Sequence, residues 1–135
     1  MFSKTNLIST LVTSLWAYFG GYLVWDIIAT PLMEGHNGTA TGVWKEAPDT
    51  LHLIIGCIVL AFAFSTIYSK WAGGSHALSN GAQFGLWVAI LLGLGIGMID
   101  LSISNVTDLT GMFIGVGLSA VFYVVMGVLA SLVYG

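Results

Sequence analysis

Five side chains in this sequence could do chemistry together: Asp26, His52, Asp100, Asn105 and Asp108. Carboxylates suit protons and hard cations, and an imidazole adds affinity for transition metals. Glu34, His36, Glu46 and Asp49 lie in the segment between Asp26 and His52 and could join the set. Glu34-x-His36 and Asp49-x-x-His52 are conceivable ligand pairs. Neither spacing is specific to a metal, so the identity of any ion stays open. Each residue also has a plainer role. Asp26 and Asp100 suit a boundary between lipid and water, His52 an interface and Asn105 a turn. Asp108 suits a helix cap beside the positive end of a helix. Cys57 reads as a small core residue.

What the chain lacks removes other chemistries. Its cations other than histidine are Lys4, Lys45 and Lys70, and there is no arginine. Nucleic acid is therefore not an expected partner, nor is an anionic phosphate or thiol cofactor, since both kinds of recognition lean on cations. No lysine falls inside an apolar run, which argues against retinal held as a Schiff base. A voltage sensor would need a ladder of arginines. Haem would need axial ligands, for which His52 is a candidate and His36 a poor second. No Ser-His-Asp set shares one depth with a credible nucleophile. We expect no enzyme activity and no cofactor.

The elements that position these groups must be membrane helices. Hydrophobic residues make up 57% of the 135 positions, charged residues 7%, and mean hydropathy is +0.96. A soluble domain is about 25% charged, and one this short could not hide so much apolar surface. Four apolar runs, 6–29, 51–68, 81–99 and 109–134, approach or exceed the roughly 20 helical residues that cross a bilayer. Each begins beside a residue able to cap a helix: Thr5 or Asn6, Asp49 or Thr50, Ser79 or Asn80, Thr107 or Asp108. Strand-like alternation is missing, and lipid cannot satisfy an irregular backbone. The expected fold is an all-α membrane protein, a single four-transmembrane-helix bundle spanning 1–135. On this reading Asp26, His52, Asp100, Asn105 and Asp108 share one depth.

The first run is too long for the apolar part of a signal peptide and carries Trp16, Tyr18 and Tyr22, so it is expected to be retained. Lys4 and Lys70 fall on one side of the membrane and Lys45 on the other. This bias places both termini in the cytoplasm and residues 30–50 outside. Trp71 and Tyr134 would mark the inner interface, and Trp25 and Trp44 the outer one. The 30–50 segment holds Gly, Thr and Pro, so a continuous helix is not expected there. Its Leu32, Met33, Val43 and Trp44 suit the membrane surface or a fold back over the bundle. Asn37-Gly38-Thr39 and Asn105-Val106-Thr107 match the glycosylation triplet, a pattern common by chance.

Small residues recur every fourth position. Helix three has Gly81, Gly85, Ala89, Gly93 and Gly97; helix four has Gly111, Gly115 and Ser119, and later Gly127 and Ser131. Helix one offers Ser9, Thr13, Ala17 and Gly21, and helix two Cys57, Ala61, Ser65 and Ser69. Such spacing keeps small groups on one slowly drifting face. In lipid, helices associate where small side chains let backbones approach. Helices one and three each end near an aspartate, in LVWDII and GMIDLS. Helices two and four close on Ser65-x-x-Tyr68 and Ser131-x-x-Tyr134. These coincidences point to two helix-hairpin repeats about an axis along the membrane normal.

One resemblance adds to this reading. YSKWAGG, then a glycine-striped helix ending in Asp, then Asn-x-x-Asp-Leu-Thr opening the last helix, together resemble small four-helix membrane proteins of bacteria whose activity is uncharacterised. The likeness covers mainly residues 51–135. It implies the fold and a bacterial inner membrane, and no activity. Two functions are therefore expected in competition. One is a homo-oligomeric channel or transporter for a proton, small cation or small solute. The other is a non-catalytic accessory or structural subunit of a larger membrane complex. Membrane lipid is a partner in both.

Overall fold

A computed structural model describes residues 3–36, 50–103 and 108–135 of the chain. Every regular element among them is helical. Four helices are long and apolar enough to cross a membrane: α1 Lys4–Met33, α2 Thr50–Ala72, α3 Leu78–Ile103 and α4 Leu109–Tyr134. They are the anticipated four, but three overrun their apolar runs by several residues. Backbone hydrogen bonding does not stop where oil gives way to water; it stops where the backbone is turned. After α1 the turn is at Gly35, with φ 81°, and after α2 at Gly73 and Gly74, with φ 61° and 92°. These are left-handed angles that glycine adopts without penalty.

The helix starts correct part of the sequence reading. Ser3, rather than Thr5 or Asn6, caps α1, its Oγ accepting from the Asn6 N–H at 3.1 Å. That leaves the Asn6 side chain for another use. For α3 the cap position is Ala77, which has no side-chain oxygen. Asn80 instead donates back to the Ser75 carbonyl at 3.0 Å and to Ser75 Oγ at 2.8 Å, which ties the turn before the helix. Asp108 caps α4 as anticipated, Oδ1 accepting from Gly111 N–H at 2.7 Å. Asp49 and Thr107 lie outside the described residues.

Two helices widen midway. α1 adopts π-helical turns over Trp16–Gly20 and Tyr22–Ile28, and α3 over Ile90–Gly95. In α1 the wide turns explain why the helix survives Pro31. A fresh α segment begins at Ala29, so Pro31 falls in a first turn, where a missing N–H does little harm. Residues 30–33, expected in the loop, are therefore helix.

Packing runs in antiparallel pairs. α1 lies against α2, α3 lies against α4, and α1 against α4 joins the two pairs. The core between them is aromatic and tight: Phe64, Tyr68, Phe84, Phe122 and Met126 are each at most 5% exposed. Phe64 and Phe84 meet edge to face, their centroids 4.8 Å apart. The Trp16 indole N–H donates to the Phe122 carbonyl at 3.0 Å. Tyr134 is half-buried and turns inward, whereas Trp71 and Trp25 stay exposed as interface residues would.

The α3–α4 crossing is close enough to be backbone on backbone. A Cβ at Gly81 would strike the Gly127 carbonyl, one at Gly127 the Gly81 carbonyl, and one at Gly85 the Tyr123 carbonyl. Further along, a Cβ at Gly93 would come within 2.9 Å of Ser119 Cβ, while one at Gly97 would make ordinary contact with Met112 at 3.4 Å. Ala89 is buried between these positions. Gly115 departs from the reading of the stripe: nothing lies within 4 Å of where its Cβ would be. The two helices stay in contact towards the other end through Gly93 with Ser119 and Gly97 with Met112, on a face of α4 that leaves Gly115 out.

Candidate functional site

Polar groups collect at both ends of the bundle, and the two ends differ in kind. At the acidic end, Asp26 sits in the last wide turn of α1, His52 in the first turn of α2 and Asp100 in the last turns of α3, all three exposed. The Thr30 hydroxyl donates to the Asp26 carbonyl at 2.6 Å. Asn105, Glu46 and Asp49 lie outside the described residues. Among the described residues no group of three or more His, Cys, Asp and Glu side chains is arranged to hold a metal ion.

One contact at this end joins Asp108 to His36. The Asp108 N–H donates to the His36 carbonyl at 3.0 Å, and His36 Nδ1 lies 3.3 Å from Asp108 Oδ2. Gly111 makes room for it, since a Cβ there would come within 2.5 Å of the His36 carbonyl. The segment after α1 is thus clasped to the start of α4. The sequence named both partners but not the pairing, because 72 residues separate them. The pair is surface-exposed, and exposed ion pairs contribute little.

The Gly111 N–H, and after it the His36 side chain, holds the Asp108 carboxyl below the usual carboxylate range. A depressed folded value contributes stability above the unfolded value of about 3.9, and that contribution is lost as pH falls through the folded value. Thermal unfolding between pH 6 and pH 3 should therefore show an acid loss in wild type that is flattened in Asp108→Asn. Equal slopes would remove the clasp from the account.

At the lysine end a buried polar ladder runs along the α1–α2 seam. The Tyr134 hydroxyl donates to Asn6 Oδ1 at 2.7 Å, and Asn6 Nδ2 donates to Thr66 Oγ1 at 3.0 Å. One turn deeper, Ser9 and Ser65 hydroxyls meet at 2.9 Å, with Thr13 Oγ1 at 3.3 Å from Ser65. Ser9, Thr13 and Ser65 are fully buried, and Asn6 is 2% exposed. From Asn6 to Thr13 the ladder covers about 10 Å of helix, roughly a third of a bilayer core. At its mouth the Tyr68 hydroxyl lies 3.1 Å from His76 Nδ1, and the His76 ring stacks on Tyr134 with centroids 5.2 Å apart.

Sequence reasoning missed this end. It took Ser9, Thr13 and Ser65 as packing groups, Asn6 as a cap, and gave His76 no role. The signal was present: Asn6, Ser9, Thr10 and Thr13 form one polar stripe at helical spacing inside an apolar run. Ser, Thr and Asn facing inward in lipid need partners on a neighbouring helix. A separate apolar groove of about 460 Å³ opens between α1 and α2, walled by Leu11, Leu15, Tyr18, Phe19, Cys57 and Ile58. No family model, curated protein or solved structure matches this chain.

Proposed function

We propose that this chain is a subunit of a homo-oligomeric membrane channel or transporter for a proton, a small cation or a small solute. The observation that carries this reading is the ladder from Tyr134 through Asn6 and Thr66 to Ser65, Ser9 and Thr13. Polar groups in a membrane-spanning seam are tolerated only if paired, and a continuous ladder of them supports a polar path into the bundle. The acids at the opposite end, Asp26, Asp100 and Asp108 with Asn105, would gather cations there. On this reading the ladder and both termini face the cytoplasm of a bacterial inner membrane, an orientation supported by Lys4 and Lys70 against Lys45 on the other side. The glycine stripe of α3 serves this by locking α3 to α4.

The alternative, an accessory subunit, is favoured by a different observation. In its most apolar window α3 is 6% buried, against 39% for α1 and α4. Such a face would suit docking into a larger assembly. Flux of protons, of monovalent cations and of a small neutral solute into proteoliposomes separates the two. Wild type should carry at least one species faster than empty vesicles. Ser65→Ala should slow it without loss of fold, and Asp26→Asn or Asp100→Asn should weaken any cation dependence. Wild-type flux equal to that of empty vesicles for every species would leave the accessory reading in place.

A further inference from the structure

The side chains that form the buried ladder are Asn6, Ser9, Thr13, Ser65, Thr66 and Tyr134, amides and hydroxyls without a formal charge. The charged side chains at this end of the bundle are Lys4 and Lys70, both exposed, since all six acids fall within 26–49 and 100–108. A cation arriving here meets like charge and finds no carboxylate side chain to replace its water. Deeper in, the walls are apolar. One turn beyond Thr13 and Ser65 come Ala17 and Ala61, in a core shared with Phe122 and Met126 of α4, and all four are at most 6% exposed. Taking a bare ion from water into such surroundings costs several times what a hydroxyl or an amide costs. Cations gathered at Asp26 and Asp100 would face the same apolar stretch from the other side.

A proton relay fails for a different reason. It needs atoms that both accept and donate, as a hydroxyl oxygen does, whereas an amide accepts at oxygen and donates at nitrogen. Asn6 stands in the ladder in that divided way, Oδ1 accepting from Tyr134 and Nδ2 donating to Thr66. A proton passed to Oδ1 is not handed on by Nδ2 unless the amide tautomerises, so Asn6 interrupts the relay between Tyr134 and Thr66. A neutral solute meets neither obstacle. In the Ser9–Ser65 rung, 2.9 Å across, either hydroxyl can be the donor. Such a rung can turn towards a solute's donor or towards its acceptor. The hydrogen bonds it gives up as a molecule passes are then replaced as they break, and no buried polar group is left unpaired.

We propose, resting on the reading of this chain as a channel or transporter, that its substrate is a small uncharged molecule bearing hydroxyl or amide groups, and that protons and metal cations are excluded. Proteoliposomes of the full chain test this with four probes: glycerol and urea, followed by light scattering, and potassium and protons, followed by entrapped dyes. Wild type should admit glycerol or urea faster than empty vesicles, with potassium and proton entry at the empty-vesicle rate. Thr13→Val keeps the side chain's shape and removes the deepest hydroxyl of the ladder. It should slow glycerol or urea entry about fivefold, the factor set by one hydrogen bond. Ser9→Ala takes its place if tryptophan fluorescence shows that Thr13→Val does not fold. Potassium or proton entry by wild type above the empty-vesicle rate would overturn the assignment of a neutral substrate and leave the channel reading in place. No entry of any of the four probes above that rate would overturn both. Glycerol or urea entry undiminished in the folded variant would overturn the assignment too, because the solute would then not be using the ladder.

Discussion

Gly85→Leu should destabilise the bundle by at least about 3 kcal/mol or prevent its folding, while Gly115→Leu should change stability by less than about 0.5 kcal/mol. Both glycines lie in helices long and apolar enough to cross a membrane, and both belong to a four-residue stripe. They differ in what a side chain would meet. At Gly85 the obstacle is backbone: the Tyr123 carbonyl, its carbon at 2.6 Å and Val124 Cα at 2.7 Å. A flexible side chain could swing away, but helix backbone cannot move without separating α3 from α4 along their whole crossing. At Gly115 there is nothing within 4 Å, so leucine enters open space. Unfolding of the two variants by denaturing detergent, followed by tryptophan fluorescence, would measure the difference. Comparable losses at both positions would show that the stripe is used outside the chain's own α3–α4 contact.

Asn6→Leu should cost about 2 kcal/mol, well above the roughly 0.6 kcal/mol average for a hydrogen bond between membrane helices. The excess arises because one residue serves two partners. Asn6 Oδ1 accepts from Tyr134 on α4, and Asn6 Nδ2 donates to Thr66 on α2, so a single amide pins three helices. Leucine fills a similar volume but leaves a phenol hydroxyl without its acceptor in a half-buried site. The coupling can be isolated. Adding Tyr134→Phe to Asn6→Leu should recover part of the loss, because the stranded hydroxyl is gone. Strict additivity of the two single losses would mean that the Tyr134–Asn6 contact contributes nothing beyond packing.

The polar end shows how legibility fails. Asn6, Ser9 and Thr13 were visible as polar residues in an apolar run, and each has a local use that explains it away: a cap, a small packing group, a hydroxyl bonded to its own helix. Thr13 does bond back to the Ser9 carbonyl at 2.7 Å. What raises these residues above their local uses is Ser65 and Thr66, more than 50 positions distant. The same holds for His36, visible as a possible ligand but paired by the fold with Asp108. Conversely, Asp108 as a cap was legible because capping is a contact over three residues.

Composition and periodicity by themselves determined that this chain forms four apolar helices, about where they run, and which residues are small enough for close approach. Those properties follow from each residue's preference for lipid or water and from a backbone that must satisfy itself in lipid. Only the tertiary structure decided which glycines are used. Gly81, Gly85 and Gly127 meet backbone and Gly115 meets nothing, because towards that end α3 meets α4 through Ser119 and Met112 instead of the Gly115 face. It also decided that the polar seam lies between α1 and α2, with His76 against Tyr68 and Tyr134 at its end. A hydroxyl's partner is set by which helix faces it, and helix rotation is fixed by side chains packing from every neighbour at once.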